Sequence, residues 1–347
     1  YLTTAAFYGV VGLCPIGNCG SGYCLLPLQK GRVALVAGVR AYQADSMLSY
    51  RHAFHAGNRA DVFKHAVLYA FLSAYTKKEK PFTAFDLNAG SGRYELFGDW
   101  SLQTGEAANG ILFLLSRYRN GTLPEPLPAD LKAYLDACTK HYEAEKMYAG
   151  SPEIIRSFLR PADELVLTDL HPAEAAVLKK MYKRERNICV HKRNCYEAII
   201  ALTPPKHSRG FALFDPSYEV LSDYKNIAET VKKVYAKWRA GSFIVWYPIL
   251  KRRTAETDYL KTALSSLKGA ETLTAEVAHK RAAGAECSDT IHIAEKKGCS
   301  SGSVQESGYG LLGSGIIIVN PVFGLKEKIS ALADYLSRIG FCAHADL

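Results

Sequence analysis

The sequence has few of the features that point to a metal site, a disulfide framework or a membrane anchor. Its nine cysteines are odd in number and scattered, with no Cys-x-x-Cys pair and no dense cluster of cysteine and histidine. Zinc sites and disulfide frameworks need such spacings, so free thiols in a reducing cytoplasm are expected. No run of about 20 predominantly apolar residues predicts a membrane helix. We therefore expect a cytoplasmic protein with no metal site and no membrane partner.

The first 46 residues have little charge and no methionine, which first occurs at Met47. A secretory signal would need a basic start and then an unbroken apolar run, but Pro15 and Asn18 interrupt this one. We expect residues 1–46 to be an extension or an upstream translation, and residues 47–347 to form the functional domain. The charged side chains of the first 46 residues are Lys30, Arg32, Arg40 and Asp45.

The rest of the composition is that of an ordinary globular enzyme with a basic surplus. The chain is 48% hydrophobic and 22% charged, and 43 Lys+Arg against 34 Asp+Glu give a formal net charge of +9. A surplus of positive charge favours a polyanionic partner such as a nucleic acid.

Short apolar runs alternate with stretches of helical spacing from residue 80 onward. The runs before residue 250 are almost continuously apolar, as strands buried on both faces of a parallel sheet are. Pro172–Arg186 and Asp223–Ala240 have helical spacing between them. This rhythm predicts an α/β fold with a doubly wound sheet. The predicted strands are Phe82–Asp86, Glu164–Asp169, Asn187–His191, Gly210–Asp215, Ser242–Tyr247, Thr272–Val277 and Gly315–Val319.

Two segments interrupt the alternation. Residues 98–162 contain about three helical stretches and no good strand, which predicts a helical subdomain inserted after the first strand–helix unit. Residues 279–310 are rich in Lys, Gly, Ser and Cys, which indicates a long flexible loop.

A glycine-rich run, Asp86-Leu-Asn-Ala-Gly-Ser-Gly-Arg93, directly follows the first predicted strand. Gly90 and Gly92 let the backbone turn sharply and approach a ligand closely. Ligands of open α/β sheets bind at the carboxyl ends of strands, where this run lies. The spacing is not GxGxxG and no Gly-Lys-Ser/Thr follows, so neither a pyrophosphate fingerprint nor a P-loop is indicated. The run is a candidate cofactor loop, with a plain turn as the alternative.

The next two strands also end in polar groups suited to an adenosine. Asp169, at the end of the second strand, can accept hydrogen bonds from both hydroxyls of a ribose. Its alternative role is to cap the helix that Pro172 starts. Asn194 and Cys195 follow the third strand, where an adenine edge would be contacted. Three strand ends in order favour an adenosine-containing cofactor.

The fourth strand ends in Asp215-Pro216-Ser217-Tyr218. A carboxylate, a proline-stiffened turn and an aromatic ring at one sheet edge suit methyl transfer to an exocyclic amine. Asp215 and a backbone carbonyl can accept the two N–H bonds of the amine and stabilise the positive charge that develops on its nitrogen. Tyr218 would stack on an unpaired or flipped base. The alternative is an Asp-Pro turn with Tyr218 in the core.

The residues after Met47 are dense in polar groups. The pattern from Asn58 onward predicts the start of a helix, with Asn58 or Asp61 as its cap. Lys64 and His65 are adjacent, so their side chains point to different sides of the helix. Either they form a solvated basic face or they contact a cofactor carboxylate or an RNA phosphate. The polar residues are Tyr50, Arg51, His52, His55, Asn58, Arg59, Asp61, Lys64 and His65.

Taken together, these motifs resemble the RlmJ family of bacterial 23S rRNA adenine-N6 methyltransferases, from Met47 to about residue 340. The resemblance implies a Rossmann-like, class I S-adenosylmethionine-dependent methyltransferase sheet with an inserted helical subdomain. It also implies S-adenosyl-L-methionine as cofactor and 23S rRNA as partner. The residues that carry it are Met47-Leu-Ser-Tyr-Arg-His52, Phe54-His-Ala-Gly-Asn58, Lys64-His65, Gly150-Ser-Pro152, Leu167-Thr-Asp-Leu-His-Pro172, Asp215-Pro-Ser-Tyr218 and Trp246-Tyr-Pro248.

The resemblance also implies roles for individual residues. Asp215 would be the catalytic carboxylate, assisted by the Pro216 carbonyl, and Tyr218 the ring that stacks on the base. Tyr50, His52 and Lys64 would lie in an N-terminal motif that covers the active site and meets the substrate, and Tyr50 would also be a catalytic residue. The residues implied to surround the cofactor are His65, Asn88, Gly90, Gly92, Ser151, Asp169, Asn194 and Asp215.

Three positions depart from the family pattern. Ser217 replaces the second proline of Asp-Pro-Pro-Tyr, Asn194-Cys195 replaces Asp-Gly, and the loop 279–310 is longer than expected. The competing functions are a DNA adenine-N6 methyltransferase and a catalytically impaired nucleic-acid-binding protein. We expect a monomer whose basic surface and helical insertion grip the RNA backbone.

Overall fold

A computed structural model describes residues 23–27, 33–37, 52–278, 311–341 and 343–346. Tyr50 and the predicted loop 279–310 lie outside the described residues. The chain divides into two compact units, Tyr1–Ser49 and Tyr50–Leu347. In the first unit, strands β1 (Tyr23–Pro27) and β2 (Val33–Ala37) form an antiparallel pair.

The second unit is built from alternating strands and helices. Its strands are β3 (Thr83–Asp86), β4 (Arg93–Glu95), β5 (Met147–Ala149), β6 (Glu164–Asp169), β7 (Ile188–Lys192), β8 (Gly210–Phe214), β9 (Gly241–Leu250), β10 (Thr272–Ala278), β11 (Leu311–Val319) and β12 (Ala343–Asp346). Its helices are α1 (Arg59–Tyr75), α2 (Asp99–Thr104), α3 (Ile111–Arg119), α4 (Ala129–Glu145), α5 (Ser151–Ser157), α6 (Pro172–Met181), α7 (Cys195–Leu202), α8 (Ser222–Lys237), α9 (Thr254–Ser265) and α10 (Leu325–Arg338). Short 3₁₀ turns cover His52–Phe54 and Glu106–Asn109.

The main sheet has eight strands in the order β12-β10-β11-β9-β8-β3-β6-β7. Strands β7, β6, β3, β8 and β9 are parallel, and β11, β10 and β12 join in antiparallel pairings. The α/β fold class predicted from the alternation is confirmed. The order reverses at β3, which lies between β6 and β8, so the carboxyl ends of these three strands surround the switch point where such sheets bind ligands.

Side chains of the central strands alternate between two apolar layers. In β8, Phe211 and Leu213 face the layer that contains α1 and α10, whereas Ala212 and Phe214 face α7, α8 and α9. All four side chains are fully buried, which explains why this strand reads as a continuous apolar run. Because successive residues point to opposite faces, the next residue, Asp215, falls on the α1 side of the sheet.

Residues 98–162 contain α2, α3, α4 and α5, together with one strand that the sequence did not predict. Strand β5 has three residues and pairs antiparallel with β4, which is equally short. Three residues are too few for an alternating pattern to be visible in a sequence. The pair connects the end of this segment to the glycine-rich run, because Gly150 donates its N–H to the carbonyl of Gly92 (2.9 Å).

Neither membrane spans nor metal clusters are found in the part of the chain that the structure describes. Within those ranges no helix is long and apolar enough to cross a bilayer. No three His, Cys, Asp or Glu side chains within the same ranges lie close enough together to hold a metal ion.

Candidate active site

Strand β8 leads into the predicted catalytic turn, residues 215–218, at the carboxyl edge of the sheet. The backbone N–H of Asp215 donates to Oδ1 of Asn88 (3.2 Å), which ties this turn to the glycine-rich run after β3. Tyr218 has a positive φ of 55°, and its hydroxyl donates to the backbone carbonyl of Trp246 (2.5 Å). A positive φ is unfavourable for an aromatic residue, so the surrounding structure must stabilise Tyr218 in this conformation.

Helix α1 begins where the sequence predicts it to begin. Asn58 is its N-cap and accepts a hydrogen bond from the backbone N–H of Asp61 (2.8 Å). Asp61 therefore does not cap the helix. Its carboxylate is only 1% exposed and accepts hydrogen bonds from the Gly57 backbone N–H (2.9 Å) and from Nε2 of His52 (3.1 Å).

Lys64 joins Asp61 to the catalytic turn. Its ammonium lies 2.8 Å from Oδ1 of Asp61 and 2.5 Å from Oδ2 of Asp215, and its side chain is 6% exposed. The same ammonium lies 5.7 Å from the centre of the Trp246 ring, within the range of a cation–π contact. A solvated basic face is therefore the wrong interpretation of Lys64. The role of Asp61 as a buried carboxylate was missed, because the sequence pattern offered it only as a cap.

These buried charges stabilise one another. Burial would by itself raise the pKa of Asp61, but its interactions with His52 and Lys64 hold that pKa well below its usual range. Burial would also lower the pKa of Lys64, but Asp215 and Asp61 raise it. Lys64 is therefore a permanent cation shared by two carboxylates, which is the condition under which buried charges are tolerated.

His65, the next residue of α1, lies between Asp61 and a tyrosine of β5. Its Nδ1 lies 2.8 Å from the hydroxyl of Tyr148, and its Nε2 lies 3.6 Å from Oδ1 of Asp61. Burial lowers the pKa of His65 to about 3, so the ring is neutral at physiological pH. A neutral ring accepts a hydrogen bond from the Tyr148 hydroxyl at Nδ1 and carries its own proton on Nε2, which faces Asp61.

The catalytic turn and the start of α1 line a pocket of about 480 Å³. This volume is within the range of small-molecule sites. The pocket brings together His52, Lys64, Asp215, Pro216 and Tyr218, five of the residues predicted for catalysis or substrate binding. Other polar or aromatic residues that line the pocket carried no predicted catalytic or binding role, among them Asp61, Glu106 and Trp246. Trp246 was noted only as part of a motif, because a tryptophan inside an apolar strand is ordinarily a core residue.

The glycine-rich run forms a cradle beside this pocket. Gly90 and Gly92 have positive φ values of 58° and 76°, and a Cβ at Gly90 would lie 2.2 Å from the hydroxyl oxygen of Tyr94. The Gly90 N–H donates to Oδ2 of Asp169 (2.8 Å), which places the ends of β3 and β6 in contact. Oδ1 of Asp169 accepts from the His171 N–H (2.7 Å), and His171 caps α6. Asp169 is thus not the helix cap, although the helix does start at Pro172.

Asp86, the last residue of β3, is a candidate site residue that the sequence reasoning missed. It is fully buried, and within the described residues neither of its carboxylate oxygens makes a well-formed hydrogen bond. Burial raises its pKa to about 7, and the Ser151 hydroxyl and the Asn88 N–H only moderate the rise. A buried carboxylate at a switch point without firm partners is a position where a bound cation would be stabilised.

The remaining predicted cofactor residues lie around the same edge. Ser151 is 6% exposed and begins α5. Asn194 caps α7, because its Oδ1 accepts from the N–H groups of Tyr196 (2.9 Å) and Glu197 (3.3 Å). This leaves the amide nitrogen of Asn194 to meet a ligand. The neighbouring Cys195 is 7% exposed, and burial raises its pKa to about 12, so the thiol is neutral.

The sheet order, the glycine cradle at its switch point and the acidic turn after β8 define a Rossmann-like, class I methyltransferase. A family model described as "Ribosomal RNA large subunit methyltransferase D, RlmJ" matches residues 79–287. The chain belongs to this RlmJ family and is a methyltransferase.

Two curated relatives and one solved structure are similar over most of the chain. The Escherichia coli (strain K12) protein "Ribosomal RNA large subunit methyltransferase J" is 30% identical over 296 residues, covering 84% of this chain and 93% of that protein. The Haemophilus influenzae protein of the same name is 32% identical over 295 residues, covering 84% and 94%. The crystal structure of protein LPL1258 from Legionella pneumophila has 26% identity and a TM-score of 0.67, covering 84% of this chain and 96% of that one.

Proposed function

We propose that this methyltransferase transfers a methyl group from S-adenosyl-L-methionine to N6 of an unpaired adenine in 23S rRNA. The observation that carries the proposal is the Asp215 carboxylate, which lines the pocket with one oxygen held by Lys64 at 2.5 Å. We further propose that the protein acts as a monomer in the cytoplasm. Light scattering of the purified protein would test the monomer.

The residues at the switch point fit the cofactor. Asp86 supplies a buried carboxylate without firm partners, which suits the ammonium of the methionine moiety. Gly90 and Gly92 leave room that a Cβ would fill, and Asp169 and Asn194 present groups that suit the ribose and the adenine edge. We also assign His65 and Ser151, which contact Asp61 and Asp86 respectively, to the wall of this site. When bound, S-adenosylmethionine supplies an electrophilic methyl group on a sulfonium.

The adjoining pocket is suited to an unstacked base. Tyr218 and Trp246 line it, and their ring centroids lie 6.0 Å apart. Aromatic rings of this kind stack on bases that have been taken out of a helix. We assign His52 and Lys64, which reach the same pocket from the start of α1, to the substrate-binding group, together with Tyr50.

The reacting amine needs two acceptors. Among the described residues no hydrogen bond is made to Oδ1 of Asp215, so this oxygen and the Pro216 carbonyl can receive the two N6 protons. Holding both protons directs the nitrogen lone pair at the methyl carbon and stabilises the positive charge that forms as the N–C bond is made. The bond between the methyl carbon and the sulfonium sulfur breaks as the N–C bond forms, so S-adenosylhomocysteine is the leaving group. One N6 proton then passes to solvent, which gives N6-methyladenosine. Lys64 fixes the carboxylate that performs this positioning.

The first experiment is transfer of labelled methyl from S-adenosylmethionine to protein-free 23S RNA, followed by nucleoside analysis. The expected result is label in N6-methyladenosine. Duplex DNA serves as the parallel acceptor, and labelling of DNA in preference to RNA would overturn the choice of RNA. RNA binding without cofactor binding would instead support a catalytically impaired binding protein, the function that Ser217 and Asn194 suggest.

Replacing Gly90 by alanine is expected to weaken S-adenosylmethionine binding by roughly tenfold or more, equivalent to about 1.4 kcal/mol. The new Cβ would lie 2.2 Å from the Tyr94 hydroxyl oxygen and force the cradle to shift. Gly105→Ala is the matched control, because Gly105 also has a positive φ (64°) but a Cβ added there would have nothing within 4 Å. Calorimetry measures both affinities, and equal losses in the two variants would show that the cradle is not the cofactor site.

The affinity for S-adenosylmethionine is expected to depend on the ionisation of Asp86. Because the pKa of Asp86 is raised to about 7, lowering the pH protonates it, and a neutral carboxyl holds an ammonium poorly. The ratio of wild-type to Asp86→Asn affinity should therefore fall by roughly tenfold from pH 8 to pH 6. Titrations in buffers of different ionisation enthalpy should also show release of about one proton per cofactor bound at pH 6. A ratio that does not change with pH would contradict this assignment.

A further inference from the structure

Fifteen residues in and beside the edge strand β7 contribute a large part of the chain's net positive charge. Residues 179–193 carry seven cations and one carboxylate, Glu185, whereas the whole chain has a net charge of +9. We call the seven side chains the basic ridge. They are Lys179, Lys180, Lys183, Arg184, Arg186, Lys192 and Arg193, and all of them are exposed.

The cations of the ridge are almost unpaired. Arg193 lies 3.9 Å from Glu197, and Glu185 is directed to Arg156 outside the ridge (3.6 Å). Within the described residues no carboxylate lies within ion-pair distance of the other six cations. Unpaired like charges in one short segment repel one another, so the surface is suited to a partner that brings negative charge.

The residues of the basic ridge lie at both ends of strand β7 along the chain. Lys179 and Lys180 are in the last turn of α6, and Lys183, Arg184 and Arg186 follow in the turn that leads to β7. Strand β7 is the edge strand, paired only with β6, and it ends at Lys192, just before the predicted cofactor residue Asn194. A five-residue strand spans about 16 Å. Lys192 and Arg193 therefore lie at the catalytic edge of the sheet, and the other five cations of the ridge lie at the opposite end of β7.

The helical segment 98–162, which was predicted to contact the RNA backbone, has no surplus of positive charge. It contains seven cations and eight carboxylates. Several of its cations are already paired with carboxylates of the same segment, as in Arg119–Glu143 (3.3 Å), Lys132–Asp136 (2.9 Å) and Arg156–Glu153 (3.0 Å). Residues 179–193 therefore have a net charge of +6, whereas the helical segment has a net charge of −1.

We propose that the basic ridge binds the phosphate backbone of the RNA that flanks the target adenine. The inference rests on the proposed function and adds a second contact surface to it. Lys and Arg side chains on an exposed edge contact phosphates without reading the sequence of the bases. The ridge thus contributes affinity and register, and the pocket beside Asp215 selects the base.

The test is a triple charge reversal, Lys183→Glu, Arg184→Glu and Arg186→Glu. These three residues lie farthest from the pocket along the ridge and make no ion pair among the described residues. For a long 23S RNA fragment, we expect the Kd and the KM to rise at least tenfold while kcat stays within twofold. The slope of log K against log salt should become shallower by roughly 2 to 3. Methylation of a stem-loop that ends a few nucleotides from the target should be unchanged.

The matched control is Lys232→Glu, Lys233→Glu and Lys268→Glu, which makes the same charge change at exposed positions on α8 and just after α9. The neutral variant Lys183→Gln, Arg184→Gln and Arg186→Gln serves as a second test if the charge reversal unfolds the protein. An unchanged Kd for the long fragment, or an equal loss of affinity in the control, would overturn the proposal that the ridge binds RNA. Equal losses on the long fragment and the stem-loop would overturn its assignment to flanking RNA. If the wild-type protein methylates neither RNA, the proposed function fails instead.

Discussion

Replacing Asp215 by alanine is expected to reduce methyl transfer by about 10³-fold or more while the affinity for S-adenosylmethionine changes by no more than a few-fold. In the proposed mechanism one oxygen of this carboxylate accepts a hydrogen bond from the reacting amine, while Lys64 holds the other oxygen at 2.5 Å. The loss should appear in kcat, because the contact matters mainly as charge develops on the nitrogen. Single-turnover transfer of labelled methyl, with cofactor binding by calorimetry, measures the two quantities separately.

The Asp215 variant is expected to remain folded, because Lys64 keeps Asp61 as a partner at 2.8 Å. Asp215→Asn keeps the shape of the side chain and removes its charge, so it should be nearly as inactive as the alanine variant. Glu219→Gln is the matched control, since Glu219 lines the same pocket but is exposed, and its activity should stay within a few-fold of wild type. Near wild-type turnover by Asp215→Ala would refute the mechanism.

Replacing Asp61 by asparagine is expected to lower both stability and activity. The Asp61 carboxylate is 1% exposed, against 13% for Asp215, and it contacts the Gly57 N–H (2.9 Å) and Nε2 of His52 (3.1 Å) as well as Lys64. Its replacement therefore removes a buried negative charge from three contacts at once. Breaking a buried pair of this kind costs about 3 kcal/mol or more, which corresponds to a fall in Tm of roughly 6–12 °C. Lys64 and Asp215 would also shift, and a displacement of about 1 Å in an active site can reduce kcat roughly 100-fold.

The pH dependence distinguishes the charge of Asp61 from a packing effect. Its folded-state pKa lies well below the ordinary value of 3.8. The stability that it contributes is therefore complete above about pH 4. It is lost only as the pH falls through the lower, folded-state pKa. The difference in unfolding free energy between wild type and Asp61→Asn should be constant from pH 5 to pH 8 and shrink below pH 4. Urea unfolding over this range measures it.

Glu106→Gln is the matched control for Asp61→Asn. Glu106 also contacts a histidine from the start of the domain, because Nδ1 of His55 lies 3.0 Å from its Oε1. Its side chain is 36% exposed and that of His55 is 39% exposed. Partly exposed pairs contribute only about 0–1 kcal/mol, so this variant should melt close to wild type. Equal destabilisation by the two substitutions would show that burial of Asp61 is not what matters.

The sequence alone predicted the sheet closely, because parallel strands buried on both faces are continuous apolar runs. The predicted strands Glu164–Asp169 and Gly210–Asp215 match β6 (Glu164–Asp169) and β8 (Gly210–Phe214) to within one residue. The start of α1 was also predictable, since Asn58 is a local signal that acts within three residues. Patterns of this kind depend only on neighbours along the chain, and so they can be read without knowing the fold.

Other parts of the site depended on contacts between distant residues. Lys64 and Asp215 are 151 positions apart, and no local pattern indicates that they share a buried ion pair with Asp61. Asp86 was visible in the glycine-rich run, but its burial without firm partners became evident only when the sheet and Ser151 enclosed it. Strands β4 and β5 were too short to leave a periodic signal.

The sequence by itself determined the fold class, the positions of the strands along the chain and the motifs at their ends, because hydrophobic periodicity and glycine placement act locally. The tertiary structure decided which of those motifs meet. It turned a polar helix start into the wall of a pocket, with Lys64 buried against Asp215 rather than solvated. It also placed the basic run 179–193 at an edge of the sheet, because β7 pairs only with β6. Electrostatic contacts join residues that are far apart in sequence, so only the folded chain determines them.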